Sequence, residues 1–123
     1  MQVAIICLLI AGLLPYATVV VAKSQRDYDN HAPRDWLAGL SGFRRRAHAA
    51  HLNHFEQFPF FAIAVIVAHL RLVDDRLIAG LAAGYVALRI AYTIAYVADW
   101  AKVRSVVWAV AFACPFTLYV QSI

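Results

Sequence analysis

A chain of 123 residues is one domain, and at 63 % hydrophobic and 15 % charged it lies well outside the roughly 45–50 % and about 25 % of soluble domains. So small a chain has no core large enough to hide that excess, which excludes a soluble globular protein and points to an all-α integral membrane protein. The net charge of +4 is no nucleic-acid footprint: half of the charged residues crowd into Lys23–Arg46, where loop charges fix topology and meet anionic membrane lipids.

Residues 3–22 carry no charge, enough for one helical span at about 1.5 Å per residue. Met1-Gln2 offers no positive n-region, so a span is favoured over a cleaved signal peptide. Pro15 should kink it. Gln25 to Asp35 is polar and irregular, with Asn30 and Pro33 as breakers. Trp36, Leu37, Leu40 and Phe43 then recur at helical spacing and predict a short interfacial helix with Trp36 at headgroup level. Arg44-Arg45-Arg46 closes this first loop.

The second span is predicted over 47–70, followed by a tight turn from Arg71 to Arg76. The third covers 77–98, with Arg89 as its one charge, and the fourth 103–121, with Pro115 inside it. Short connections between the last three make the whole an antiparallel four-helix bundle. The first and third loops hold eight Lys and Arg against two in the second, which puts those loops in the cytoplasm and both termini outside. Cys7 and Cys114 sit in apolar runs without a CxxC. They read as buried small hydrophobes, the alternative being a disulfide or a reactive thiol.

The informative stretch is the polar opening of the second span. On a 100° helical wheel Arg46, Asn53 and Glu56 share one face with Phe60, while His48, His51 and His54 drift round the other side. Those histidines lie three apart with no carboxylate on their face, a poor metal set, so they should reach headgroups or neighbouring helices. On the third span Tyr85, Arg89, Tyr92, Tyr96 and Asp99 form one stripe about 80° wide. Taken alone it could equally be aromatic packing with hydroxyls bonded across helices.

Glu56 and Arg89 each lie ten residues in from the cytoplasmic side, a depth of about 15 Å. Opposite charges at that depth on neighbouring helices should pair, so a structural Glu56–Arg89 ion pair is predicted. Above it Arg46, Asn53, Tyr92, Tyr96, Arg104 and Ser105 form a cup of cationic and hydroxyl donors suited to a small anion with several carboxylates. Arg104 and Ser105 begin the fourth span, where the helix dipole favours an anion or a thiolate. The charges stop near the midplane, which argues against an ion pathway.

The stretches Asp29-Asn-His-Ala-Pro-Arg34, Arg46-Ala-x-x-Ala-His51-x-Asn53-x-x-Glu56-x-Phe-Pro59, Arg89-x-Ala-Tyr92-x-x-Ala-Tyr96 and Val103-Arg104-Ser105 together resemble the MAPEG family, membrane-associated proteins in eicosanoid and glutathione metabolism. The likeness covers nearly the whole chain and is nearest the short bacterial members, which implies a bacterial inner membrane. It further implies a homotrimer with glutathione, as co-substrate, between neighbouring subunits near the cytoplasmic side. Asn53 and Glu56 match the glutathione contacts of the family's second helix. Tyr96 matches the tyrosine of its third, and Tyr92 falls where other members carry histidine or another polar group. Arg104 is similar to the arginine that stabilises the thiolate, with Ser105 beside it. Where eukaryotic members have arginines just before the Asn and one turn earlier, this chain has Leu52 and Ala49, and Arg46 lies another turn back.

The function this implies is a glutathione-dependent transferase or peroxidase. Its lipophilic small-molecule substrate, an electrophile or hydroperoxide, would enter from the bilayer. Arg104 and Ser105 are the catalytic pair in this reading; Arg46, Asn53, Glu56, Tyr92 and Tyr96 bind glutathione. The alternative is a non-catalytic lipid-binding or scaffold protein on the same fold, which would lack glutathione affinity.

Overall fold

The computed structural model describes all of residues 1–123. Five helices follow one another with no strand: α1 (Gln2–Ala22), α2 (Pro33–Ala38), α3 (Gly42–Leu70), α4 (Asp75–Val97) and α5 (Ala101–Gln121). α3 packs on α1, α4 and α5, and α4 also packs on α1 and α5, so α3, the most polar long helix, and α4 each touch all the other long helices.

α1, α4 and α5 are each long and apolar enough to cross a membrane. α3 is the longest, at 29 residues, yet it is not one of these. Its continuous apolar run covers only Phe58–Ala68, against the ~20 residues a span needs. The family of exposed apolar residues, among them Leu9, Leu13, Val20, Ile63, Ile66, Ile94, Val106 and Phe116, forms the lipid-facing surface of a membrane protein.

Helix contacts in lipid are made by small residues that let backbones approach. α1 follows that rule along its length: its buried residues are Ala4, Cys7, Ala11, Pro15, Thr18 and Ala22. Ala4, Cys7 and Ala11 meet Phe61, Ala64, Val65 and Ala68 of α3, Ile78, Ala82, Tyr85 and Val86 of α4, and Ala111, Cys114 and Leu118 of α5 in one core. Both cysteines are free and buried in it. A second, smaller core joins Ala22, Leu37 and Ala47 and seats α2 on the ends of α1 and α3.

The helix limits depart from the predicted spans where the charges are. α3 begins at Gly42, five residues before the expected 47, so Arg44, Arg45 and Arg46 belong to a helix and not to a loop. Nothing between Ser41 and Ala47 breaks a helix, arginine is a good helix former, and its long side chain carries the charge away from the axis. Phe43 accordingly lies on α3 and not with Trp36 and Leu37 on α2, a helix that ends at Ala38 and opens with Pro33. α5 begins at Ala101, two residues before the expected 103, which takes Lys102 into the helix.

The α3–α4 and α4–α5 turns are closed the same way. Leu72 and Asp99 adopt positive φ of 58° and 65°, and the next residue's amide reaches back to the helix, Val73 N–H to the Ala68 carbonyl at 3.0 Å and Trp100 N–H to the Ala95 carbonyl at 2.8 Å. These bonds satisfy carbonyls left open at helix ends. Asp74 caps α4, its side chain accepting from the Arg76 and Leu77 amides at 3.0 Å each.

Candidate functional site

Two polar constellations meet on α4. The first is buried between α3 and α4 and centred on Arg89, which is 1 % exposed. Arg89 Nη2 donates to Asn53 Oδ1 at 3.0 Å, and Nη2 and Nε both donate to His54 Nδ1, at 2.9 and 3.2 Å. A guanidinium only donates, so His54 Nδ1 must be the acceptor and the ring carries its proton on Nε2. That proton goes to Thr93 Oγ1 at 2.8 Å, and the Thr93 hydroxyl donates in turn to the Arg89 carbonyl at 3.0 Å. The circuit runs from Arg89 to His54 to Thr93 and back to Arg89. Asn53 extends it outward by donating from Nδ2 to Glu56 Oε2 at 3.1 Å.

The second constellation is a groove of about 260 Å³ between α4 and α5, lined by Tyr92, Tyr96, Arg104, Ser105 and Trp108. The Arg104 guanidinium carbon lies 4.4 Å above the Tyr96 ring, and that of Arg89 lies 4.4 Å above the Tyr92 ring. Tyr92 and Tyr96 meet edge to face at 5.5 Å. Tyr92 thus belongs to both regions, one edge on the buried network and the other in the groove. From the groove an aromatic series descends through Trp108, Phe112 and Phe60 to Tyr119, with centroid separations of 5.5, 5.0 and 4.9 Å.

The predicted Glu56–Arg89 ion pair does not form within the chain. The chain's salt bridges are Met1–Asp75, Arg46–Asp99 and His69–Asp75, and Glu56 is exposed while Arg89 is buried. Equal depth was the argument for pairing, but the two residues point to different sides of the α3–α4 contact, and the Asn53 amide stands between them with one group for each. The placing of the histidines away from the Arg/Asn/Glu face is also corrected. His54 turns into the α3–α4 contact beside Asn53, because Arg89 is reached from two sides of α3 at once. His51 does reach a neighbouring helix, donating from Nδ1 to the Pro15 carbonyl of α1 at 2.6 Å, and His48 stacks on it at 5.8 Å.

Of the predicted binding residues, Tyr92, Tyr96, Arg104 and Ser105 come together in the groove, while Asn53 and Glu56 lie on the other constellation. Arg46 joins neither. Its Nε and Nη2 donate to the Val97 carbonyl at 3.2 and 3.0 Å and its Nη1 lies 3.9 Å from Asp99, so it closes the C-terminal end of α4. Ser105 donates its hydroxyl to the Ala101 carbonyl at 3.0 Å, the usual outlet for serine inside a helix. Tyr85 stacks on Phe61 at 3.9 Å in the core and is packing, as the aromatic reading of its stripe allowed.

Thr93 and Trp108 escaped the sequence reading, while His54, read there as reaching headgroups or a neighbouring helix, does reach α4. Thr93 and Trp108 stand four residues beyond Arg89 and Arg104, the spacing at which helical side chains are neighbours, and that signal was available. That His54 meets Arg89 there could not have been found by a helical wheel.

Compared with known proteins, residues 3–123 match the model of the MAPEG family. No curated protein and no solved structure matches the chain.

Proposed function

The chain belongs to the MAPEG family, and on that premise we propose that it is a glutathione-dependent membrane transferase or peroxidase acting on lipophilic electrophiles or hydroperoxides. The observation that carries this reading is Arg104. Its guanidinium lies over Tyr96 in the groove and takes part in none of the chain's salt bridges. A cation without a carboxylate partner, near the start of a 21-residue helix, supplies what a thiolate needs.

In this reading Arg104 stabilises the thiolate of bound glutathione. The sulfur attacks an electrophilic carbon and expels its leaving group, or attacks a hydroperoxide oxygen and releases the alkoxide, which takes up a proton, while the sulfur, oxidised to the sulfenic acid, is converted to the disulfide by a second glutathione thiol with loss of water. Tyr92 and Tyr96 position the peptide with their hydroxyls. Ser105 acts as a donor once its hydroxyl turns away from Ala101. The aromatic series below Trp108 is a surface for the lipophilic substrate.

Glu56 supports the remaining part, a homotrimer of four-helix antiparallel subunits. It is exposed on one subunit at a depth of about 15 Å, where a carboxylate facing lipid is costly. A second subunit would cover it, so that Asn53 and Glu56 of one copy and Tyr92, Tyr96 and Arg104 of the next share one glutathione. The concentration of Lys and Arg in the first and third loops favours a cytoplasmic site with both termini outside, in a bacterial inner membrane.

The test is calorimetric titration of glutathione into the detergent-purified protein beside Arg104→Ala. Saturable binding with a thiolate absorbance band, lost in Arg104→Ala, is the expected result. Absence of binding at millimolar glutathione would overturn the reading in favour of a lipid-binding or scaffold role.

A further inference from the structure

The largest cavity lies away from the glutathione groove, in the first loop. It measures about 320 Å³ and is lined by Gln25, Asp27, Asp35, Trp36, Ser41 and Arg44 among others. It sits between the end of α1 at Ala22 and the start of α3 at Gly42. α1 is one of the membrane-crossing helices, so the cavity is at the level where hydrocarbon gives way to headgroups. Trp36 at its wall is the residue type that marks this level.

Its charges are arranged unusually. Asp27 and Asp35 share the wall with Arg44, yet neither carboxylate is in a salt bridge. The Arg44 Nε is buried without a hydrogen-bond partner, and its Nη2 has only a 3.5 Å contact with the Ser24 carbonyl. Ser41, the residue preceding α3, makes no capping bond with its side chain, so the first amides of α3 are left open beside Arg44. The same lining therefore holds donors of Arg44 without hydrogen-bond partners and two solvent-exposed carboxylates free of salt bridges.

We propose that this cavity binds a zwitterion with a phosphate and a primary ammonium, the phosphoethanolamine headgroup. Arg44 and the start of α3 take the phosphate, and Asp27 and Asp35 accept from the ammonium. A choline headgroup has the same charges but no N–H to give those carboxylates. The volume falls at the low end of ligand cavities, about 300–1,000 Å³, which suits a headgroup with its acyl chains outside. Val20 and Val21 of α1, exposed just below, give those chains a surface.

Native mass spectrometry of the full-length protein tests this, with phosphatidylethanolamine and phosphatidylcholine of identical chains, and soluble phosphoethanolamine as competitor. Phosphatidylethanolamine should be retained roughly tenfold over phosphatidylcholine, the worth of about one charge-assisted hydrogen bond. Asp35→Asn should erase that preference and Arg44→Gln should lower retention of both lipids, while both variants keep the parent's unfolding temperature within a few degrees. Displacement by millimolar phosphoethanolamine would mean that the site takes the free zwitterion as well; no displacement, with the preference intact, would mean that it reads the headgroup only in a lipid. Equal retention of the two lipids, or a preference that survives both variants, overturns the proposal. Glutathione binding enters none of these readouts, so the two proposals fail separately.

Discussion

Around Arg89 the guanidinium's Nε and Nη2, His54, Asn53 and Thr93 find partners of their own chain; around Arg104 the guanidinium has an aromatic ring beneath it and no counterion. The two regions share Tyr92 and adjoin on α4, one facing α3 and the other α5, but they differ in what they leave unsatisfied. In a low-dielectric interior an unpaired polar group is costly, so a closed circuit such as Arg89–His54–Thr93 holds helices in place. A cation left without an acid beside an open groove is instead available to a ligand. Identical residue types, arginine on tyrosine in both cases at 4.4 Å, thus serve opposite ends according to what else is within reach.

That contrast can be broken from either side. The largest effect on stability is expected from Arg89→Leu, which leaves the buried acceptors His54 Nδ1 and Asn53 Oδ1 without donors. The cost is about 2–6 kcal/mol at roughly 1–3 kcal/mol per orphaned group, read from unfolding in detergent. A loss under about 1 kcal/mol would mean the circuit does not hold α3 to α4. Arg104→Ala should do the reverse, lowering turnover of a lipophilic electrophile about 100-fold, or some 2.7 kcal/mol. Its stability should stay within about 0.5 kcal/mol of the parent. If Arg104→Ala unfolds the protein as readily as Arg89→Leu, the division between the two regions is wrong.

Smaller effects sharpen the boundary. His54→Phe fills the same space but removes the acceptor for Arg89 and the donor for Thr93, and should cost about 1–3 kcal/mol. Smallest is Glu56→Gln, which keeps an acceptor for the Asn53 amide. It should cost under about 1 kcal/mol, with coupling to Arg89→Leu below about 0.5 kcal/mol in a double-mutant cycle. A coupling well above that value would restore the direct ion pair.

Much of this was legible in the sequence. Charge-free runs gave the long helices, short connections gave their antiparallel arrangement, and counting residues inward gave the common depth of Glu56 and Arg89. Of the six residues predicted for the cup, Arg46 and Asn53 do not line the groove, while Tyr92, Tyr96, Arg104 and Ser105 do. These are properties of single helices, fixed by a rise of about 1.5 Å and a turn of about 100° per residue. What only the tertiary structure decided is which polar groups answer which. Arg89 takes His54 and Asn53 and not Glu56; Arg46 closes the end of α4 instead of joining a cup; Ser105 gives its proton to its own helix. Hydrogen-bond partners are chosen by competition among all the groups that packing brings within about 3 Å, and the rotation of one helix against another, on which that competition turns, is not written in the period of either.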